Sequence, residues 1–305
     1  MAKDPRGNIF ERKEKKYVID DVTRSILMAR IADKMVEDEY GVSKITSIYC
    51  DTADRYLINR SIEKPVYKEK LRVRFYGELK GDSRVFIEIK KKFKGVVYKR
   101  RLAVSAKAAD LFLSGMDYVQ VCNAHPLPNA KHAEESLSWQ SLQIAREIKA
   151  FMDHYEKRYG PLVPSILVEC ERLAYKPASS DVQSDLRITF DKSIVCTDLL
   201  GSDGTRLPFA QSVALLERDE SVMEIKAIGS YPMWLAEALS DERIYPQSFS
   251  KCGRGYERIY ARQKAASAAP ATQKIQTRQS ASNASNDLAY ATLFAKHARK
   301  EAANA

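Results

Sequence analysis

Lys70-Leu71-Arg72-Val73-Arg74-Phe75 sets a charge at every second position with an apolar residue between. Alternate side chains of a β-strand share a face, so Lys70, Arg72 and Arg74 point one way and Leu71, Val73 and Phe75 the other. The spacing returns in Phe86-Ile87-Glu88-Ile89-Lys90 and, far along the chain, in Met223-Glu224-Ile225-Lys226-Ala227. Three such segments build a charged surface out of strands. Arg and Lys contact phosphate oxygens and a carboxylate holds a divalent ion, so a basic face with a few carboxylates suits a polyanion and its metal. An antiparallel sheet with one wet face produces the same alternation with no ligand at all. A sheet closed into a barrel produces it too, with charges lining the lumen and apolar residues turned outward against helices. The pattern alone leaves these arrangements open.

A chain of 305 residues with 45% hydrophobic content can bury a large core, and it reads as one domain followed by a tail. The formal net charge of +10 and the pI near 9.2 favour an anionic partner: nucleic acid, a nucleotide, polyphosphate or an acidic membrane. Cys50, Cys122, Cys170, Cys196 and Cys252 are scattered, odd in number and without a Cys-x-x-Cys pair, which argues against a disulfide scaffold and a structural zinc site. The N-terminal Met-Ala-Lys-Asp-Pro-Arg-Gly-Asn has no apolar signal-peptide core, and no run is long and apolar enough to span a membrane. A soluble, cytoplasmic protein is expected.

Strands are expected at about 12–19, 45–51, 69–77, 84–92, 96–104, 165–175, 185–190, 193–198 and 221–227. Residues 22–38 have helical spacing after Asp21, a candidate N-cap. A second helix is expected over 138–159, with Trp139, Leu142, Ile148, Phe151, Met152 and Tyr155 near one core-facing stripe and Gly160-Pro161 as its stop. It closes a helical insertion of about 106–160, within which 123–136 reads as a loop. A third helix starts at Pro232. From about Lys264 the composition turns to Ala, Ser, Gln, Asn and Lys, so the folded domain is expected over 8–262 and a disordered tail over 263–305, with a weak helix at 287–300.

Several short pieces, taken in order, carry a family likeness: Glu14-x-Lys16-Tyr17, Tyr49-Cys50-Asp51-Thr52, Lys70-Leu71-Arg72-Val73-Arg74-x-Tyr76-Gly77, Glu88-Ile89-Lys90, Tyr98-Lys99-Arg100-Arg101, Glu171-Arg172-x-Ala174-Tyr175, Leu186-Arg187-Ile188-Thr189-Phe190-Asp191, Glu224-Ile225-Lys226 and Phe249-Ser250-Lys251. From about Phe10 to Tyr260 the chain resembles the VTC domain, the catalytic domain of the vacuolar transporter chaperone polyphosphate polymerase, within the triphosphate tunnel metalloenzymes or CYTH-like superfamily. The resemblance implies an α+β fold: a closed eight-stranded antiparallel β-barrel flanked by helices, its lumen the active site. It also implies that Lys16, Arg72, Arg74, Lys90, Lys99, Arg172, Arg187, Lys226, Ser250 and Lys251 bind phosphates. Among these Lys16, Arg72, Arg74, Lys90, Lys99 and Arg172, with Glu224, are implied to be catalytic. Glu224 would hold a divalent metal, Mn²⁺ or Mg²⁺. Glu14 and Glu88 are further metal candidates, each able instead to pair with a neighbouring lysine. Cys170 stands where the family often shows tyrosine, and no SPX regulatory module is evident.

The implied activity is an ATP-dependent polyphosphate polymerase, with ATP and inorganic polyphosphate as partners and nucleic acid disfavoured. Enclosed cations strengthen each phosphate contact and no protein nucleophile is needed. Hydrolysis of tripolyphosphate or a nucleoside triphosphate by the same residues is the enzymatic alternative; a non-catalytic polyphosphate or RNA binder is the other. His125, His132, His154 and His297 have no metal-ligand spacing and read as ordinary histidines. Cys252-Gly253-Arg254-Gly255 lacks the strand and third glycine of a dinucleotide loop, and reads as a loop or helix entry. Lys91 and Arg100 are expected on the outward face.

Overall fold

A computed structural model of the chain describes residues 12–94, 96–179, 185–201 and 206–268. Its strands are β1 (Arg12–Asp20), β2 (Met35–Glu37), β3 (Ser43–Asp51), β4 (Tyr67–Tyr76), β5 (Arg84–Phe93), β6 (Val96–Ser105), β7 (Val163–Pro177), β8 (Arg187–Leu200), β9 (Arg206–Ala214) and β10 (Glu220–Ile228). The helices are α1 (Asp21–Arg30), α2 (Tyr56–Ile62), α3 (Ala106–Leu113), α4 (Tyr118–Ala124), α5 (Ala130–Ser136), α6 (Trp139–Tyr159), α7 (Met233–Asp241) and α8 (Lys251–Ala268). The fold is α+β.

The strands follow the order β1-β10-β8-β7-β3-β4-β5-β6, with β2 branching from β7 and β9 from β8. Pairing is antiparallel between β1 and β10, β10 and β8, β3 and β4, β4 and β5, and β5 and β6. Strands β1 and β6 end the path, and no pairing joins them among the described residues. The expected closed eight-stranded barrel is therefore corrected to an open sheet of ten strands. Alternation fixes which face a side chain takes. Closure depends on tilt and stagger, which it does not encode.

Local departures have local causes. The cap of α1 lies one residue earlier than expected, at Asp20 instead of Asp21, because the Asp20 carboxylate accepts the Thr23 N–H at 2.7 Å. It ends at Arg30, and Met35–Glu37 pairs with β7 instead of continuing the helix. The two strands expected at 185–190 and 193–198 are one strand bent at Ser193, whose φ is +50°. Pairing with β10 runs through Asp191, and past the bend the Leu215 N–H donates to the Ile194 carbonyl at 2.8 Å. The expected loop 123–136 holds α5, capped by Asn129 accepting the His132 N–H at 3.1 Å. Cys252, Gly253 and Gly255 lie within α8, which runs to Ala268; the remainder of the expected tail lies outside the described residues.

The chain forms two compact units. One holds β1, α1, β2, β7 from Cys170, β8 as far as Ile194, and residues 214–250 with β10 and α7. Its core is Tyr17, Ile19, Leu27, Ile188, Phe190, Met223, Ile225 and Leu235, the apolar alternates of the charged strands with the helices over them. The other holds residues 45–169 and 195–213 and α8. Here Leu71, Val73, Phe75, Ile87, Ile89 and Leu102 pack with Phe112 of α3 and with Ile148, Phe151 and Tyr155 of α6. Each such buried side chain contributes about 1.5–3 kcal/mol. Trp139, expected on the α6 core stripe, is 75% exposed at the first turn, which leaves Ala145 as the first buried position of that helix.

Asp51 is part of this framework. Its two oxygens accept the Leu57 and Ile58 N–H groups at 2.8 and 2.9 Å, fastening α2 to the end of β3. Burial pushes its carboxyl up to about 6, against the pull of those amide hydrogen bonds.

Candidate functional site

The charged faces divide between the two units, and in each the strand register sets the neighbours. In the unit carrying β4, β5 and β6, Lys70 lies opposite Lys90 and Lys90 opposite Lys99, while Arg72 lies opposite Glu88 and Glu88 opposite Arg101. Arg74 follows opposite Phe86, and Lys68 opposite Lys92 at the other end. On the neighbouring strand, Tyr49 stands opposite Arg72 and Ser47 opposite Arg74.

Glu88 is fully buried and gathers three cations from the strands on either side of its own. Its Oε2 accepts Arg72 Nε at 2.7 Å; its Oε1 accepts Lys99 Nζ at 2.7 Å and Arg101 Nε at 2.5 Å. Burial opposes its ionisation, but Arg72 and Lys99, with Arg74, hold the carboxyl well below the usual range. Both guanidinium groups are gripped through Nε, a use of Arg that leaves the rest of the fork to other acceptors. Arg72 donates one such bond to Tyr49 Oη at 3.2 Å, and Arg74 Nε donates to Ser47 Oγ at 3.0 Å. Lys99 is pulled down to about 8 by burial, against the attraction of Glu88 and helped by Arg101 and Arg72.

In the other unit, Lys16 lies opposite Glu224, which lies opposite Thr189; Glu14 lies opposite Lys226, which lies opposite Arg187. Lys16 Nζ is 3.3 Å from Glu14 and 3.9 Å from Glu224, and Lys226 bonds Glu224 and reaches Glu14 at 4.0 Å. Glu224 is buried, a setting that opposes its charge, yet Lys226, Lys16 and Arg172 keep it ionised far below the usual carboxylate range. Arg172 grips the fully buried Asp191 through Nε at 2.6 Å and Nη2 at 2.7 Å. Arg187 is bonded to Asp38 at 2.6 Å. The Gln247 N–H donates to the Lys16 carbonyl at 2.7 Å and Lys16 Nζ donates to the Phe249 carbonyl at 3.3 Å, which ties the approach to Ser250 onto β1.

The donor set around Glu224 fits a hard divalent cation. Glu14 and Glu224 offer carboxylate oxygens within reach of the same two ammonium groups. Beside Glu224, the Thr189 hydroxyl is buried with no hydrogen-bond partner among the described residues. No group of three or more His, Cys, Asp or Glu stands together among the described residues. One or two carboxylates suffice where substrate phosphates and water complete the shell, as Mg²⁺-type ions require. Glu88, saturated by three cations, fits a positioning role better than a metal ligand.

Thus the structure brings Arg72, Arg74, Glu88, Lys90 and Lys99 to one face of one unit, and Glu14, Lys16, Glu224, Lys226 and Arg187 to paired strands of the other. Arg172 comes from β7, Ser250 precedes α8 and Lys251 opens it. As expected, Arg100 leaves the cationic face, bonding Glu147 of α6 at 2.9 Å, and Lys91 pairs with Glu69 at 3.1 Å. Arg101, Asp191, Asp38 and Tyr49 were not singled out as site residues by sequence. Arg101 was reachable, lying two residues after Lys99 on an alternating strand.

Comparison with family models matches residues 11–260 to the VTC domain. No curated protein matches the chain. A solved X-ray structure described as a "putative adenylate cyclase" from Vibrio parahaemolyticus aligns with 10% identity and a TM-score of 0.37, over 82% of this chain and 97% of that one.

Proposed function

The chain belongs to the VTC domain family, and from that premise we propose that it is a metal-dependent polyphosphate polymerase, moving the γ-phosphate of ATP onto a growing inorganic polyphosphate chain. The observation that carries this reading is the β4–β6 face, where nine cations (Lys68, Lys70, Arg72, Arg74, Arg84, Lys90, Lys92, Lys99 and Arg101) share one surface with Glu88, the single carboxylate these strands place there. Such an excess of positive charge suits a ligand that is itself a dense row of negative charges.

Transfer joins a terminal oxygen of the acceptor phosphate to the γ-phosphorus and breaks the bond from that phosphorus to the β–γ bridging oxygen, so ADP departs with the electron pair. No protein nucleophile is involved, and the work of the side chains is positioning and neutralisation. Arg72, Arg74, Lys90 and Lys99 bind phosphate oxygens on one unit; Lys16, Lys226, Arg172 and Arg187 do so on the other, with Ser250 and Lys251 as further contacts. Glu88 fixes Arg72, Lys99 and Arg101 in place before substrate arrives, which lowers the cost of ordering them. Glu224, with Glu14 and the Thr189 hydroxyl, would hold Mn²⁺ or Mg²⁺. When bound, such an ion neutralises charge on the oxygens of the transferring phosphoryl group.

Substitution separates directed contacts from diffuse charge. Arg72→Ala and Arg74→Ala are expected to weaken ATP binding by ~2 kcal/mol or more, about thirtyfold, because each removes a partly buried, hydrogen-bonded cation. Arg100→Ala, which removes an exposed outer cation, is expected to cost less than about 0.5 kcal/mol. Calorimetric titration with ATP in the presence of Mn²⁺ reads all three. Equal losses would replace these assignments with nonspecific attraction.

Lys99 makes binding pH-dependent. Below its pKa of about 8 it is cationic, and as pH rises through that value it loses the charge that attracts phosphate. Affinity for tripolyphosphate is expected to fall between about pH 7 and 9, with proton uptake on binding at the upper end because the bound anion favours protonated Lys99. Lys99→Arg should remove most of this step. Titrations in buffers of different ionisation enthalpy measure the uptake, and an unchanged pH profile in Lys99→Arg would exclude Lys99 as its source.

A further inference from the structure

The cationic face does not stop at the residues implied to bind a triphosphate. One step beyond Lys70 and Lys90, Lys68 and Lys92 sit directly opposite each other on β4 and β5. Like charges placed opposite one another on adjacent strands are destabilising. Neither lysine forms an ion pair among the described residues. The carboxylate next to them in sequence, Glu69, belongs to the other face, where it accepts the Tyr155 hydroxyl at 2.7 Å and pairs with Lys91 at 3.1 Å. Glu88 is already shared among Arg72, Lys99 and Arg101. Lys68 also has its pKa lowered, first by burial and then by Lys70, Lys92 and Lys64. An unrelieved pair of like charges at the end of a charged face gains most from an external anion.

Successive rows along an antiparallel strand are about 7 Å apart, so from Arg74 through Arg72 and Lys70 to Lys68 the cations extend about 20 Å. That is well beyond the length of three phosphates joined by single bridging oxygens. We propose that Lys68 and Lys92 form a distal subsite for inorganic polyphosphate chains longer than a triphosphate, engaging phosphates away from the end that reacts. This rests on the polymerase reading and adds to it a site that only a long chain fills. The chemistry favours polyphosphate over single-stranded RNA, because the cross-strand partners of Lys92, Lys68 on β4 and Val97 on β6, offer no ring on which a base could stack.

The test is binding of tripolyphosphate and of long-chain polyphosphate to the full chain, compared with Lys68→Ala/Lys92→Ala and with the charge-reversed Lys68→Glu/Lys92→Glu. Lys149→Ala, a change to an exposed lysine on α6, serves as control. The alanine pair is expected to weaken long-chain binding about tenfold and to reduce the slope of log affinity against log salt by about two, leaving tripolyphosphate affinity within about twofold. Charge reversal should enlarge the long-chain loss alone. Equal losses for both ligands, or none for either, would overturn the distal subsite while leaving the polymerase reading in place. Tighter binding of length-matched RNA than of polyphosphate would overturn the ligand assignment. If the unaltered protein bound neither phosphate ligand, the polymerase reading would fall and the subsite with it.

Discussion

Glu224→Gln is expected to lower metal-dependent turnover by a factor on the order of 10²–10³ with the secondary structure intact. The substitution keeps the size of the side chain and removes its charge. Glu224 is buried beside Lys226, Lys16 and Arg172, and both Lys16 and Lys226 reach its carboxylate. As glutamine it would no longer balance them or provide an anionic ligand to a divalent cation. Rates measured across a Mn²⁺ titration, with circular dichroism as the control for folding, decide the matter. A variant that kept its rate and its metal dependence would remove Glu224 from the metal site.

Asp198→Ala should produce the largest stability loss, about 3–5 kcal/mol, since it strands a buried guanidinium. Arg55 and Asp198 have side chains only 9% and 3% exposed, with Nη2 of the arginine 2.7 and 2.9 Å from the two carboxylate oxygens. Arg55 also donates to the Leu200 carbonyl and lies over the Tyr256 ring at 5.5 Å, so it links the start of α2 to the end of β8 and to α8. Its φ of +62° is held by this surrounding structure. Replacing both partners with apolar residues, Arg55→Met/Asp198→Leu, is expected to cost much less than the sum of the single changes. Denaturant unfolding measures the cycle; a loss below about 1 kcal/mol for Asp198→Ala would show that water reaches the arginine.

The charged faces were legible because a two-residue period is a local property. Lys70 to Arg74, Glu88 with Lys90, and Glu224 with Lys226 take the faces that alternation assigns them. Partners were not legible, since they depend on register between distant segments. Nothing near Glu88 in sequence reveals that Arg101 is its cross-strand neighbour, or that the arginine at position 172 is gripped by Asp191 and the one at 187 by Asp38. The two missed strands were obscured for different reasons. Met35–Glu37 is too short to have a period, and Arg206–Ala214 contains Pro208, which suits a strand lying off the main path of the sheet. The bend at Ser193 was mistaken for a break because Asp191-Lys192-Ser193 is polar, as turns usually are. An open strand order in place of a barrel follows from geometry at the sheet ends, to which alternation is blind.

The central claim is that the γ-phosphate of ATP ends in a polymer. The purified chain should be incubated with γ-labelled ATP and Mn²⁺ or Mg²⁺, and the label followed into a polyphosphate ladder resolved on a gel, with ADP and orthophosphate quantified in parallel. A labelled ladder that grows with ADP, and disappears in Glu224→Gln, is the predicted result. Label released as orthophosphate without a ladder would identify a triphosphatase and contradict the polymerase; intact ATP beside tight polyphosphate binding would contradict catalysis itself.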